Sequence, residues 1–160
     1  MTALIVLMGP PAAGKTTYAN ELEQEGWTVV SPDQIREASG AAPGEDNLAT
    51  FITAYQQTQH ALNRGQRVVF DSTALTENVR RRLRQTAKMR RLPVHLAVVH
   101  AERRVCLARN RRRIAGVPEE RMRSMLDSYE RQYPIAIGER WTTTTVIDGR
   151  RELVNAAPAS

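Results

Sequence analysis

The residues best suited to chemistry form a short glycine-bounded loop, GPPAAGKT, at residues 9–16. Gly9 and Gly14 let the backbone wrap around an anion, so that amide groups of the loop and the following helix face its oxygens. Lys15 would place a catalytic charge on the β- and γ-phosphates of a nucleoside triphosphate, and the Thr16 hydroxyl would bind Mg²⁺. The residues expected to bind the nucleotide here are Gly9, Ala12, Ala13, Gly14, Lys15, Thr16 and Thr17. The alternative is a glycine turn without a ligand.

A second group of candidate residues lies in the segment SPDQIRE at 31–37. Ser31, Pro32 and Gln34 predict the start of a helix, with a capping box and a proline in its first turn. Asp33 would then lie just beyond a strand, where ligands bind in open α/β sheets. It could accept the proton of an acceptor hydroxyl, while Arg36, on the same helix face, could bind an anionic part of the acceptor. The alternatives are a carboxylate favoured by the helix dipole and an ordinary surface arginine.

Three polar residues follow the apolar run at 68–70. Asp71 comes first, where an acidic side chain can lie beside Thr16 and Mg²⁺ and orient them from the second coordination layer. Ser72 and Thr73 come next and could line the channel for the acceptor. The alternative for Asp71 is a carboxylate that caps its own loop.

The arginine-rich stretch at 109–113 indicates a basic lid. Residues 102–114 are expected to form a helix that ends before Gly116, which would place Arg109 and Arg113 on one face. Such a segment could close over the triphosphate and neutralise charge in the transition state, as an arginine finger does. Arg113 is the first choice for the catalytic residue, and Arg109 is expected to contact the nucleotide. The alternative is a solvated basic face.

Apolar runs and turn residues predict the elements that position these side chains. Strands are expected at 3–8, 27–30, 67–70, 94–99 and 142–147, and helices at 15–25, from 31, at 45–64, from 76, at 102–114 and at 118–132. This alternation implies an α/β fold of the P-loop kinase type, with a mainly parallel sheet flanked by helices and an arginine-bearing lid. We expect one domain over 1–154, a loop at 41–44 and a frayed tail at 155–160.

The charge balance is basic, at +6, and 21 of the 23 basic residues are arginines. They cluster at 80–91 and 103–113, which is typical of a protein that meets a polyanion, although a coding bias toward arginine is the alternative. Cys106 is the only cysteine, which excludes an internal disulfide and a cysteine-based zinc site. Because the longest apolar run, 3–8, is too short for a membrane span or a secretory signal, we expect a cytoplasmic protein with no membrane partner.

Several classes of nucleotide-binding protein share a loop of this kind. The guanine-reading NKxD sequence of GTPases is absent, and the chain is small for an AAA-type motor. The favoured class is therefore a small kinase, with ATP or another nucleoside triphosphate as the phosphate donor and Mg²⁺ as the cofactor.

Three further segments are distinctive: SPDQIRE (31–37), FDSTAL (70–75) and CLARNRRRIAGVPEERMRSMLDSYE (106–130). With them the chain resembles the kinase domain of the bacteriophage-type polynucleotide 5′-kinases. The resemblance covers nearly the whole chain, although residues 38–65 match poorly. It implies an enzyme that transfers the γ-phosphate of ATP to a 5′-hydroxyl end of DNA or RNA. The implied roles are ATP and metal binding for Lys15 and Thr16, general base for Asp33, acceptor-phosphate binding for Arg36, support of Thr16 and the metal for Asp71, and lid arginine for Arg113.

The chain also departs from that family. It has no DxDGT-like motif, which the bifunctional phage enzymes carry in an appended phosphatase, so we expect end phosphorylation without 3′-phosphatase activity. The family heals ends before ligation, which makes nucleic-acid 5′-hydroxyl ends the expected partners and a ligase a candidate partner. Two alternatives stay open: a kinase of a small molecule such as a nucleoside, sugar or antibiotic, and a nucleotide-binding protein without an acceptor. Clustered arginines favour the polynucleotide over a small neutral acceptor, and the Asp33/Arg36 pair argues against the binding protein.

Overall fold

Strands and helices alternate along the chain in the computed structural model, which describes residues 1–40 and 48–149. In chain order the elements are β1 (Leu4–Met8), α1 (Lys15–Gln24), β2 (Thr28–Val30), α2 (Pro32–Ala38), α3 (Leu48–Asn63), β3 (Val68–Phe70), α4 (Glu77–Met89), β4 (Val94–His100), α5 (Arg103–Arg112), α6 (Glu119–Ile137) and β5 (Thr143–Asp148). The predicted loop at 41–44, the predicted helix start at 45 and the predicted tail at 155–160 lie outside the described residues.

The five strands form one sheet in the order β2-β3-β1-β4-β5, and every pair in it is parallel. Strand β1 is central, with Ile5 in register with Val69 of β3 and His95 of β4. All five residues of β1 are buried, as expected of a strand covered on both faces. The predicted α/β class with a parallel sheet is confirmed. Because all strands run the same way, the loops after β1, β2 and β3 meet at one edge.

Two apolar cores lie on the two faces of the sheet. Successive residues of β1 point to opposite faces, so Leu4, Val6 and Met8 belong to one core and Ile5 and Leu7 to the other. Helices α3 and α4 cover the first core, α1 and α5 cover the second, and α6 contributes to both. This packing fixes the helices that carry the candidate side chains. None of the helices in the described part is long and apolar enough to cross a membrane.

Helix α5 is shorter than predicted. It ends at Arg112, and Arg113 follows in an extended conformation with φ −76° and ψ 138°. The expectation that Arg109 and Arg113 share a helix face is therefore wrong. A contact between the helix and the segment after it explains this end: the side chain of Asn110 donates to the carbonyl of Val117 (2.7 Å) and accepts from its amide (2.9 Å), which turns the chain back toward α6.

Helix α6 is longer than predicted and reaches Ile137 rather than 132. It passes through Pro134, which removes one backbone donor and disfavours a helix interior. Tertiary packing overrides that preference, since Ala136 is fully buried and its carbonyl accepts a hydrogen bond from the Trp141 indole at 2.8 Å. Helix α4 begins at Glu77, one residue after the predicted start at Thr76, whose side chain makes no capping hydrogen bond.

Candidate active site

The loop at 9–16 connects the central strand β1 to α1, and two of its glycines are required by geometry. A β-carbon on Gly9 would lie 2.4 Å from the carbonyl oxygen of Val99, closer than real contacts allow. Gly14 has φ 108°, a conformation that side chains rarely adopt. The loop is thus pressed against β4 and turned so that α1 begins at Lys15. Its amides and the N-terminus of α1 together form a site suited to an anion.

Lys15 lies buried inside this loop, with 9% of its surface exposed. Its ammonium donates to the carbonyl of Pro10 at 2.7 Å, which leaves two of its three donors for a ligand. Burial lowers the pKa of Lys15 from 10.5 to about 8, while the charges of Asp71 and Asp33 raise it and that of Arg113 lowers it further. These effects require the four charged groups to lie near one another. An anion bound against Lys15 would favour its charged form and raise this pKa.

Asp71 follows β3 and hydrogen-bonds to the side chain of Thr16. Burial raises the pKa of Asp71, and the nearby Asp33 adds to this, whereas Lys15 and the Thr16 hydrogen bond lower it. The amide of Gly9 donates to the carbonyl of Thr73 at 3.2 Å, which ties the phosphate loop to the segment after β3. This hydrogen bond holds the two loops side by side.

The oxygen atoms of Thr16 and Asp71 fit a Mg²⁺ ion, which prefers hard oxygen ligands and keeps several waters. Thr16 is exposed, so its hydroxyl can reach an ion, and Asp71 is positioned to orient it. The described residues contain no cluster of three or more His, Cys, Asp or Glu side chains that could bind a metal alone. The donor set thus fits an ion shared with phosphate oxygens.

Asp33 and Arg36 lie at the start of α2, just after β2. The hydroxyl of Ser31 accepts a hydrogen bond from the amide of Gln34 at 3.2 Å, as the sequence predicts for a helix start. Arg36 Nη1 donates to Asp33 Oδ1 at 2.6 Å. The Asp33 side chain is 82% exposed, whereas that of Arg36 is 10% exposed. The Nε atom of Arg36 has no hydrogen-bond partner among the described residues. This is costly for a buried charged group, and it suits a side chain that binds a ligand.

Ser72 and Thr73 continue from Asp71 at the same edge. Ser72 is buried, and its hydroxyl also lacks a hydrogen-bond partner within the described part of the chain. The strand order explains this grouping: β3 lies between β1 and β2, so its loop stands between the phosphate loop and Asp33. Site residues predicted from three separate segments thus lie side by side.

The lid arginines point in different directions. Arg109 donates to the carbonyls of Ala12 (3.2 Å), Ala13 (3.3 Å) and Gly149 (2.9 Å), so its guanidinium links α5 to the phosphate loop and to the residue after β5. Arg111 pairs with Glu119. Arg113 is exposed and close enough to Lys15 to lower its pKa. The predicted contacts of Arg109 and Arg113 with a nucleotide stay predictions.

The basic run at 80–91 does not form one exposed surface. Arg80 is completely buried and donates to Glu139, Gln132 and the carbonyl of Ala74. Arg84 pairs with the same Glu139 at 2.9 Å. These two arginines tie α4 to the end of α6 and to the loop after β3. They are structural, which the charge count of the sequence did not reveal.

Two residues of structural importance to the site were missed from the sequence. Asn110 closes the turn between α5 and α6, and the pattern RN…GVP contains the signal, since a β-carbon on Gly116 would lie 2.6 Å from the Asn110 carbonyl. Gly149 follows β5, and a β-carbon there would lie 2.0 Å from the carbonyl oxygen of Ala13. No local pattern marks Gly149, because the contact joins residues far apart in the chain.

A phosphate loop after the central strand of a parallel sheet, with a lysine, a threonine and an aspartate from the neighbouring strand, defines the P-loop kinase-like fold. Residues 4–132 match an AAA domain family (AAA_33), and the chain belongs to that family. The fold predicted from the sequence is thus confirmed.

Solved structures with a similar fold include a gluconokinase from Sinorhizobium meliloti 1021, at 20% identity over 91% of this chain and 82% of that one, with a TM-score of 0.62. A chain of the Pnkp1/Rnl/Hen1 RNA repair complex is 15% identical over 84% of this chain, with a TM-score of 0.69, and this chain spans 46% of it. A shikimate kinase from Acinetobacter baumannii, in complex with shikimate, is 22% identical over 90% of this chain and 83% of that one, with a TM-score of 0.58. At these identities the likeness establishes the fold alone. No curated protein sequence matches the chain.

Proposed function

We propose that this protein is a polynucleotide 5′-hydroxyl kinase, which transfers the γ-phosphate of ATP or another nucleoside triphosphate to a 5′-hydroxyl end of DNA or RNA. The observation that carries the proposal is the Asp33–Arg36 pair beside Lys15 and Asp71. It offers a carboxylate for an acceptor hydroxyl and, next to it, a buried guanidinium for an acceptor phosphate, whose Nε has no hydrogen-bond partner in the described part of the chain. We propose no 3′-phosphatase activity, because the chain lacks the DxDGT-like motif.

On the donor side, Lys15 would bind the β- and γ-phosphate oxygens while the amides from Ala12 to Thr17 surround them. Thr16 would hold Mg²⁺ and Asp71 would orient the Thr16 hydroxyl through the hydrogen bond described above. The chemistry that Mg²⁺ supplies when bound is neutralisation of the charge on the β- and γ-phosphates. Arg113, in the segment after α5, would complete this neutralisation.

On the acceptor side, Asp33 would accept the proton of the 5′-hydroxyl. The hydroxyl oxygen would at the same time bond to the γ-phosphorus, while the bond from this phosphorus to the β–γ bridging oxygen breaks. A carboxylate has two oxygens, so Asp33 can pair with Arg36 and still accept this proton. Arg36 would bind the phosphate on the 3′ side of the same nucleoside. Ser72 and Thr73 would line the approach to this position.

A kinase of a small molecule is the second candidate. The donor side would be unchanged in such an enzyme, and similar folds occur in a gluconokinase and a shikimate kinase. The buried Arg36, whose Nε donates to none of the residues that the structure describes, would serve an anionic small acceptor as well as a nucleic-acid phosphate. If the acceptor is a polynucleotide, a ligase that seals the phosphorylated end stays a candidate partner of this protein.

The proposal is tested by incubation of the protein with Mg²⁺, ATP labelled on the γ-phosphate and a 5′-hydroxyl oligonucleotide. End label on the oligonucleotide is the expected result, with Lys15→Ala as the inactive control. Asp33→Asn should keep ATP binding and lower turnover about 10²–10⁴-fold, the typical contribution of a general base. Transfer to small acceptors without any end label would sink the proposal in favour of the second candidate.

A further inference from the structure

A groove of about 840 Å³ opens between α3 and α4, and apart from Ser72 and Thr73 its lining residues have no assigned part in phosphate transfer. It begins at Ser72 and Thr73, next to the site, and extends along α4 to Met89. The stretch of α4 from Asn78 to Met89 rises about 16 Å. The groove is therefore longer than the space that one small acceptor needs.

Aromatic groups line the groove on the α3 side. Phe51 is half-buried there and contacts Tyr55, with ring centroids 6.2 Å apart. Tyr55 stacks on Phe70 of β3 at 5.9 Å, and Arg82 of α4 lies over the Tyr55 ring at 4.7 Å. The contact with Tyr55 orients the flat Arg82 guanidinium and leaves its edge donors available. Planar bases stack on such aromatic and guanidinium planes.

The charge of the groove suits an anion. Arg81 and Arg82 are exposed on its α4 side. No acidic side chain is among the described residues that line it. Its end beside the active site holds the buried Ser72 hydroxyl, which lacks a hydrogen-bond partner among the described residues. Planar apolar surface, two exposed arginines and a hydroxyl without a hydrogen-bond partner among the described residues together fit a polyanion with planar bases.

We propose that this groove binds the nucleotides that follow the acceptor end on a single strand, with bases against Phe51 and the Arg82 plane and phosphates on Arg81 and Arg82. The inference rests on the proposed function, because it continues the path of the strand from Asp33 and Arg36. It makes the preferred substrate a single strand of several nucleotides. The modest sequence selectivity expected of stacking follows as well.

The test is equilibrium binding of a fluorescent 5′-hydroxyl oligonucleotide, measured by anisotropy over a range of salt concentrations without ATP. The variant Arg81→Gln/Arg82→Gln should lower the log–log salt slope by about 1.4, the value for two phosphate contacts on a single strand, and weaken binding about tenfold at moderate salt. Phe51→Leu should weaken binding without a change in slope, because it removes stacking and no charge. Arg131→Gln is the matched control, since Arg131 is exposed on α6, bonds only to Ser128 in the described contacts and lies outside the groove lining.

Three outcomes separate the two proposals. The groove is wrong if the double variant binds with the affinity and slope of Arg131→Gln, or if the parent protein does not bind the oligonucleotide. If binding depends on the groove but no phosphate reaches the end, the groove stands and the kinase proposal fails. The third outcome is that end label appears and the double variant changes KM for a 3′-phosphorylated nucleoside as much as KM for the oligonucleotide. In that case Arg81 and Arg82 act at the reacting nucleoside, and the groove proposal fails.

Discussion

Lys15 combines two requirements that conflict at the scale of a single residue. Its ammonium must be charged to bind phosphates, yet burial in the loop disfavours the charge and lowers its pKa to about 8. The sequence predicts its role from the motif alone, because GPPAAGKT fixes where the lysine stands. It does not predict the pKa, which depends on the enclosure by residues from other segments. The nearby Asp71 and Asp33 offset part of the burial penalty.

The pH dependence of stability follows from this shift. The pKa of Lys15 falls from 10.5 in the unfolded chain to about 8 in the folded one. Between these values the unfolded chain binds more protons, so the contribution of Lys15 to stability rises with pH across that window. Its upper limit is about 3 kcal/mol, at about 1.4 kcal/mol for each pKa unit. The free energy of unfolding in urea, compared between the parent and Lys15→Met, should show this rise only in the parent. An equal pH dependence in both proteins would contradict it.

Arg36 and Arg113 should differ in kinetics, because we assign them to opposite sides of the transferred phosphate. Arg36→Ala should raise KM for a polynucleotide end and leave KM for ATP nearly unchanged, with Arg36→Lys as the control that keeps the charge. Arg113→Ala should lower kcat with every acceptor, since an interaction made only in the transition state appears in kcat. An arginine finger contributes about 10³–10⁵-fold to kcat. We expect a smaller loss here, because the neighbouring Arg112 can replace Arg113 in part.

Steady-state kinetics with ATP and acceptor varied in turn separates the two roles. If Arg36→Ala impaired a bare nucleoside as much as a 3′-phosphorylated one, Arg36 would not bind the acceptor phosphate. If Arg113→Ala changed KM for ATP alone, Arg113 would bind the ground state and would not act in the transition state.

At the scale of elements, local pattern predicted what local pattern controls. The buried strand 3–8, the capped start of α2 and the helix after the phosphate loop all appear where the sequence places them. The errors arise where a distant contact decides. Asn110 bends the chain before Arg113 can join α5, and packing of Ala136 carries α6 through Pro134. The link from Arg109 to the phosphate loop is also a contact between segments, and no spacing rule contains it.

Gly149 gives the element-scale prediction. A β-carbon there would lie 2.0 Å from the Ala13 carbonyl, so Gly149→Ala must shift the phosphate loop or the end of β5. We expect a loss of about 1–3 kcal/mol in stability, typical of overpacking, together with a raised KM for ATP. Gly138→Ala is the matched control, because its nearest contact would be an ordinary 3.5 Å and its φ is not positive. Thermal unfolding and ATP titration of both variants check it. Equal behaviour of the two would show that the loop does not depend on Gly149.

At the scale of the whole molecule, the strand order assembles the site. The sequence places Lys15, Asp33 and Asp71 after three strands, and the observed order β2-β3-β1 makes these strands neighbours. That order depends on packing across the sheet. The sequence therefore predicts that these residues lie at the carboxyl edge of the sheet, but it does not predict which of them are neighbours. The charge of +6 likewise indicated a polyanion, whereas the fold divides the arginines into buried ties such as Arg80 and exposed ones such as Arg82.

The most direct test of the central claim is a competition between acceptor classes under one set of conditions. A 5′-hydroxyl oligonucleotide, a bare nucleoside, gluconate and shikimate are mixed at equal concentration with Mg²⁺ and limiting ATP, and each phosphorylated product is measured by mass spectrometry. We expect the oligonucleotide to take most of the phosphate, at its 5′ end, and Arg36→Ala to reduce this preference. Phosphate found mainly on gluconate, shikimate or the nucleoside would make this chain a small-molecule kinase and not a polynucleotide kinase.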